Sequence, residues 1–286
     1  MNSPLVSICL ISYNQEAYIL DALKGIAMQE VDFDYELLVA DDCSTDRTLD
    51  VIREYIPASG IKNVRYLQRE KNLGIGGNWF NALRQSRGRF VAPLEGDDYW
   101  TDRMKLALQV EMLLADESLS GSFHNVEERY VDANKHSFLY NSSSVAGLID
   151  TSLLASANMM QTCSLMYRGD LVRNSPVWVY EMSMVDWPLN LYCSGYGPFG
   201  YIPKVMGVHR LHSESAWSFL PKNDIMNNVL KAYDRMINGF ELSFPETAAY
   251  LRQARKDFSA GLQTHEPGVA RRVVGALKRY LTGKKH

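Results

Sequence analysis

The sequence predicts an α/β fold: a mostly parallel, Rossmann-like sheet flanked by helices, followed by a helical C-terminal extension. Three observations carry this expectation. From Leu5 to about Leu114, short apolar runs alternate with segments whose apolar residues recur at helical spacing, the pattern of βα units wound around a parallel sheet. The first run, Leu5–Ile11, is broken only by Ser7, as expected of a strand covered on both faces. Two acidic clusters, Asp41-Asp42 and Glu95-Gly96-Asp97-Asp98, directly follow apolar runs. Charge therefore falls at strand carboxyl ends, where open α/β sheets bind their ligands.

The elements follow in order. After the first strand, Ile19, Ala22, Leu23 and Ile26 stand at i, i+3, i+4 and i+7 and mark a helix. A second strand, Tyr35–Ala40, ends in Asp41-Asp42, and Cys43-Ser44-Thr45-Asp46 supplies capping side chains for a helix through about Tyr55. Pro57 and Gly60 are expected to stop that helix. Val64–Leu67 reads as a third strand, Trp79–Arg87 as a helix, and Phe90–Leu94 as a fourth strand. Asp102 opens a helix carrying Met104, Ala107, Leu108, Leu113 and Leu114. Beyond Ala115 the alternation loosens. Strands are expected at Leu119–Val126 and Thr162–Tyr167, with a polar stretch between them that includes Asn141-Ser142-Ser143-Ser144. A helix at Val185–Cys193 starts at Asp186 and tolerates Pro188 in its first turn. Phe199–Ile202 and Val205–Val208 are short strands, and from Lys222 the pattern is helical, closing with an amphipathic basic helix over Glu266–Lys285.

Totals narrow the function classes. Hydrophobic residues make up 46% of the 286, enough for a substantial core. A net charge of −3 argues against a general nucleic-acid binder, which needs a basic excess to neutralise phosphates. The four cysteines, Cys9, Cys43, Cys163 and Cys193, show no CxxC spacing and are expected to be reduced thiols in or near the core. The stretch MNSPLVSICLISYN has no basic leader region and reads as a first strand, not a signal peptide. No apolar run reaches the ~18 residues a membrane span needs, so a cytoplasmic protein is expected.

The chemistry concentrates at LEGDDYW, where Glu95, Asp97 and Asp98 put carboxylates at the end of a buried strand. Such a cluster is a solvated turn, a helix-capping group, or a site for a divalent cation held by hard oxygen ligands. Asp41 and Asp42 are strong hydrogen-bond acceptors at a strand end, or helix-capping residues. The loop from Lys71 to Asn78 has GxGG but lacks a third glycine and follows the third strand. It is therefore no dinucleotide fingerprint, and a tight turn explains its glycines equally well. Asp186, taken alone, reads as an N-capping aspartate.

Five blocks change the weighting. VSICLISYNQEAYILDAL, LLVADDCSTDRTLDVI, KNLGIGGNWFNAL and GRFVAPLEGDDYW, in this order, resemble the nucleotide-binding half of GT-A glycosyltransferases of the family 2 type. MVDWPLNLYCSGYGPFGYIPKVMGVHRLHSES resembles that family's acceptor-side acidic motif, strand pair and YRxH-like element. The likeness covers about residues 4 to 218. It implies a nucleotide-sugar-binding half over 1–115, an acceptor-side half over 116–218 and a helical extension over 219–286. It further implies a base pocket lined by Ser12, Tyr13, Asp41 and Asp42, with Tyr13 stacking near the base. Asn72, with Arg69 or Lys71, would touch ribose or phosphate. Glu95-Gly96-Asp97 occupies the D-x-D position, with Glu in place of the first Asp, and Gly96 would leave room for the sugar nucleotide. Asp97 and Asp98 would serve metal, ribose and diphosphate, Glu95 the donor, and Arg210 the leaving group. His212 would complete the metal shell, and Asp186 would be the catalytic base of an inverting transfer.

The resemblance implies Mn²⁺ or Mg²⁺, a UDP-linked donor and a glycan or lipid-linked glycan acceptor in cell-surface polysaccharide biosynthesis. Residues 132–160 and Asn158–Thr162 would shape the acceptor pocket. The basic C-terminal helix, with Val269, Val273, Leu277 and Leu281 on one face, would dock on its neighbours or touch an anionic membrane surface. Two rivals remain open. A sugar-1-phosphate nucleotidyltransferase would want a Gly-rich basic loop where this chain has Ser12-Tyr13-Asn14-Gln15. A catalytically degenerate nucleotide-sugar-binding scaffold would not need the acidic residues kept at both strand ends and at Asp186.

Overall fold

In the first strand, β1 (Val6–Ser12), alternate side chains enter two separate cores. Val6, Ile8 and Leu10 pack with Leu23 and Ile26 of helix α1 (Ile19–Ala27), while Cys9 and Ile11 join Trp79 and Leu83 on the opposite face. An unbroken apolar run is the consequence of a sheet with helices on both sides. The computed structural model describes residues 3–67, 70–131, 135–141, 145, 147–182, 184–212 and 221–264.

The chain continues through β2 (Tyr35–Asp41), α2 (Thr48–Ser59), β3 (Val64–Tyr66), α3 (Gly74–Gln85), β4 (Phe90–Glu95), β5 (Tyr99–Trp100) and α4 (Lys105–Ala115). Then follow β6 (Gly121–Tyr130), β7 (Phe138–Leu139), β8 (Leu148–Ile149), α5 (Thr151–Ser156), β9 (Met166–Arg168), α6 (Gly169–Asn174), α7 (Asp186–Ser194) and β10 (Phe199–Leu211). Helices α8 (Lys222–Phe240) and α9 (Pro245–Thr264) end the described chain. The strand order is β3-β2-β1-β4-β9-β6-β10-β5. The β3-β2-β1-β4 block is parallel, β9 runs antiparallel to both its neighbours, and β6 and β10 are parallel. A mostly parallel α/β sheet flanked by helices is thus the observed fold.

Several local expectations are corrected. Pro57 does not stop α2; it sits in the last turn, and the helix ends at Gly60, which takes the left-handed conformation (φ 79°) that favours glycine. Helix α3 begins at Gly74 rather than Trp79, and α4 at Lys105 rather than Asp102, whose carboxylate accepts the Met104 N–H. Thr162–Ser164 is a 3₁₀ turn, leaving only Met166–Arg168 as strand. The two expected short strands near residues 199–208 are one strand, β10, whose pairing with β6 shifts register around Val205. Pro203 interrupts the apolar pattern there without ending the strand.

The C-terminal helices pack against α7 and the 177–181 turn. Tyr233 meets Trp187 edge-on at 5.2 Å between centroids, and Phe240 meets Trp178 at 4.9 Å. All four cysteines are free thiols, three of them buried. Among the described residues no helix is long and apolar enough to cross a membrane. The expected helix at 266–285, and Arg69, lie outside the described residues.

Candidate active site

Strand β1 runs between β2 and β4, pairing Ser12 with Asp41 and Ile11 with Glu95. Both acidic clusters therefore flank the carboxyl end of one central strand. The two aspartates of the first cluster diverge. Asp41 closes its own turn: Oδ1 accepts from the Ser12 and Ser44 hydroxyls (3.2 and 2.5 Å), and Oδ2 accepts the Ser44 N–H (3.0 Å). That turn carries Cys43 at φ 61°, a strained conformation for a residue with a side chain. Asp42 is buried; its N–H donates to the Ser12 carbonyl (2.9 Å) and its Oδ1 accepts the Leu73 N–H (2.8 Å). Its Oδ2 accepts no hydrogen bond among the described residues. Tyr13 stands at the rim, 47% exposed, and Asn72 Oδ1 accepts the Gly74 N–H (2.8 Å) at the start of α3.

Glycines near the site are there for packing. A Cβ on Gly96 would lie 2.5 Å from Gln15 Oε1 and from Ile19 Cδ1, so the absence of a side chain here admits Gln15 and the α1 end. A Cβ on Gly76 would lie 1.8 Å from the Tyr180 carbonyl oxygen, a backbone atom with no rotamer by which to retreat. Gly76→Ala is expected to destabilise the fold at or above the upper end of the ~1–3 kcal/mol typical of overpacking. Thermal denaturation tests this, and an unchanged melting temperature would refute the close approach of α3 to the 177–181 turn.

At the second cluster, burial raises the Glu95 carboxyl to about 8, with the charges of Asp97, Asp98 and Asp186 adding to the rise. Asp98, 1% exposed, accepts the Arg210 N–H on Oδ1 (2.9 Å), while its buried Oδ2 meets no donor among the described residues. Burial raises it to about 7 against the opposing charge of His209. Asp97 Oδ2 lies 3.0 Å from His212 Nε2. The expected ligand set is thereby divided. Asp97 and His212 meet, whereas Asp98 turns to hold β10, and no group of three or more such residues able to hold a metal is gathered among the described residues. Arg210 is also engaged: its guanidinium donates to the Asp97 carbonyl (2.7 Å), pairs with Asp21 and lies over the Tyr99 ring at 4.3 Å.

Two networks escaped sequence reasoning. Beside the acidic cluster, His209 Nδ1 meets the fully buried Glu128 carboxylate at 2.8 Å, and Gln161 Nε2 donates to the other Glu128 oxygen (2.7 Å). Burial alone would lower the His209 pKa, but Glu128, Asp98 and Asp97 together raise it well above the ordinary value. An imidazolium thus stands against the carboxylates. Only the register of β10 on β6, which pairs His209 with Glu128, brings these residues together, so no spacing signal announces them. In the second network, Asp186 is the first residue of α7. Burial raises its pKa, with the Trp187 amide and the Asn158 side chain opposing. Asn158 Nδ2 donates to Asp186 Oδ2 at 2.5 Å.

The profile of glycosyl transferase family 2 matches residues 7–173 of the chain. The chain belongs to that family. An uncharacterized protein of Mycobacterium tuberculosis strain H37Rv is 37% identical over 217 residues, covering 74% of this chain and 60% of that protein. The chain therefore spans about 60% of the length of that curated relative. The putative teichuronic acid biosynthesis glycosyltransferase TuaG of Bacillus subtilis is 35% identical over 111 residues, 39% of this chain and 42% of its own. The crystal structure of residues 1–349 of Staphylococcus aureus TarS with UDP-GlcNAc superposes with a TM-score of 0.64 at 19% identity, covering 97% of this chain and 81% of that one. That likeness places this family 2 chain in the GT-A fold.

Proposed function

We propose that the protein is an inverting glycosyltransferase that moves a sugar from a UDP-linked donor to a hydroxyl of a glycan or lipid-linked glycan during cell-surface polysaccharide assembly. The observation that carries this reading is the arrangement at one sheet edge. Asp42 stands on one side of β1, and the Asp97–His212 pair on the other. Asp186 is close enough to the second cluster for its charge to raise Glu95. The name borne by TuaG supports the polysaccharide setting, and the ligand in the TarS crystal supports a UDP-sugar.

In this reading Asp42 Oδ2 accepts from the base or ribose, and Tyr13 covers the base. The residues fit a divalent cation: a carboxylate and an imidazole face each other, and Asp98 keeps a buried oxygen without a donor. Mg²⁺ and its like use one or two protein carboxylates and complete their shell from phosphates, so the Asp97–His212 pair suits a metal–diphosphate. Asp97 and His212 would hold the ion, and bound there it would neutralise charge on the departing diphosphate. Arg210, fixed by Asp21 and stacked on Tyr99, holds Asp97 through its carbonyl. Asp186 takes the proton from the attacking hydroxyl, and its raised pKa makes the ionised form a stronger base.

Two measurements test the donor half. Screening nucleotide sugars for hydrolysis and transfer should single out a UDP-sugar; a preference for another nucleotide would overturn the donor assignment. Asp42→Asn keeps an oxygen for the Leu73 N–H but replaces the ligand-facing acceptor with a donor. The UDP dissociation constant is expected to rise roughly 10- to 100-fold, as for a lost charge-assisted hydrogen bond, with thermal stability nearly unchanged. Calorimetric titrations that match the wild type would remove Asp42 from the pocket.

A further inference from the structure

Asp186 ends a hydrogen-bonded chain that runs through the half-buried Asn158 and the buried Asn190. Tyr167 OH donates to Asn190 Oδ1 (2.7 Å), Asn190 Nδ2 donates to Asn158 Oδ1 (3.2 Å), and Asn158 Nδ2 donates to Asp186 Oδ2 (2.5 Å). Tyr167 and Asn190 are both 0% exposed. The direction is set by the carboxylate. An ionised Asp186 only accepts, so Asn158 must present its NH₂ to Asp186 and its oxygen to Asn190, and Asn190 must present its NH₂ to Asn158 and its oxygen to Tyr167. A second clamp holds Asn158 by its backbone: Tyr140 OH donates to the Asn158 carbonyl (2.8 Å), and Asn141 Nδ2 donates to the Met159 carbonyl (3.1 Å). Asn141 is in turn paired with Asn125 of β6 through both its backbone N–H and its carbonyl (each 2.9 Å). The loop between α5 and the 162–164 turn therefore carries Asn158 at a fixed place.

We infer that Asn158 is a positioning residue for Asp186, and that the Tyr167–Asn190–Asn158 chain keeps Asp186 Oδ2 as an acceptor so that the proton of the attacking hydroxyl is taken by Oδ1. This rests on the reading of Asp186 as the base. The step balances: the acceptor oxygen bonds to the anomeric carbon, the bond from that carbon to the diphosphate oxygen breaks with its electron pair leaving on the diphosphate, and the hydroxyl proton passes to Oδ1. Donation into Oδ2 stabilises the ionised carboxylate, and a fixed ring of donors removes the reorganisation that a free carboxylate would need. Besides Asn158, the groups facing Asp186 are Glu95 at the end of β4, His209 on β10 and, through the chain, Tyr167 on β9.

The test is a ¹³C NMR titration of the aspartate side-chain carboxyls, with Asp186 assigned by its absence from Asp186→Asn. In Asn158→Leu the Asp186 titration is expected to move to higher pH, because a hydrogen bond that favours the ionised form is gone. Turnover of a UDP-sugar should fall by roughly an order of magnitude at the acid end of the profile and recover as pH rises. Tyr167→Phe, which removes one hydroxyl and keeps the ring, should move it the same way by less, and it carries the test if Asn158→Leu does not fold. An unmoved Asp186 titration in the folded variants overturns the inference while leaving the base reading intact. Retained turnover in Asp186→Asn overturns the base reading, and this inference with it, even if the titration moves.

Discussion

Asp186→Asn is expected to leave UDP binding at the wild-type level while turnover falls by about 10²- to 10⁴-fold, the range a positioned general base supplies. Asparagine keeps the size of the side chain and an oxygen to accept the Asn158 amide, so the local structure should survive. What it loses is the capacity to take a proton. The competing reading, a helix-capping aspartate, predicts the opposite result: lower stability with turnover retained. The geometry favours the first. Asp186 is the first residue of α7 and its carboxylate meets the Trp187 amide, but among the described residues its side-chain hydrogen bond comes from Asn158 on another segment. Burial raises the pKa, so turnover should decline as pH falls through that raised value, when the base becomes protonated. Calorimetry with UDP beside a steady-state assay separates the two readings. Near-normal turnover would take Asp186 out of the mechanism.

Asp186 also shows how much the sequence disclosed. Alternating apolar runs were enough to locate the first four strands, because β1, β2 and β4 are buried along nearly their whole length and leave an unbroken apolar signal. Both acidic strand ends were legible for the same reason: a run of buried residues followed by carboxylates reveals a strand end without knowledge of its partners. Pairings were not legible. His209 and Glu128 meet through the register of two strands, and Tyr167, Asn190 and Asn158 converge from three segments. Short-range spacing holds no trace of such meetings. The packing that requires Gly96 was hidden for a related reason, since the atoms it admits, on Gln15 and Ile19, sit far off in the chain. Two of the misplaced element ends, at Pro57 and at Gly74, fall where a proline sits in the last turn of a helix and a glycine in the first.

Asp97→Asn is expected to weaken metal-dependent UDP binding by at least 10- to 100-fold, on the order of what removing even an outer partner of a metal ligand costs, while the weaker metal-free binding of UDP is unchanged. Asp98→Asn should behave differently. Its carboxylate is 1% exposed and holds the Arg210 N–H, so its loss is expected to lower the melting temperature as well, through β10. The two variants separate a residue that meets the ion from one that holds the strand bearing His212. In the proposed site, protons would compete with the cation. Glu95 and Asp98 are raised to about 8 and about 7, so in the metal-free protein they take up protons as pH falls through that window. Metal binding should weaken accordingly. The sign for stability is the reverse: a carboxyl whose folded-state value is raised favours folding below its ordinary pKa, and that contribution is lost as pH rises through 7 to 8. Metal-free protein should therefore lose stability between pH 6 and 8, where added Mn²⁺ raises the melting temperature most. Asp97→Asn should abolish that rise, and a Mn²⁺ response equal to the wild type at both pH values would sink the Asp97–His212 assignment.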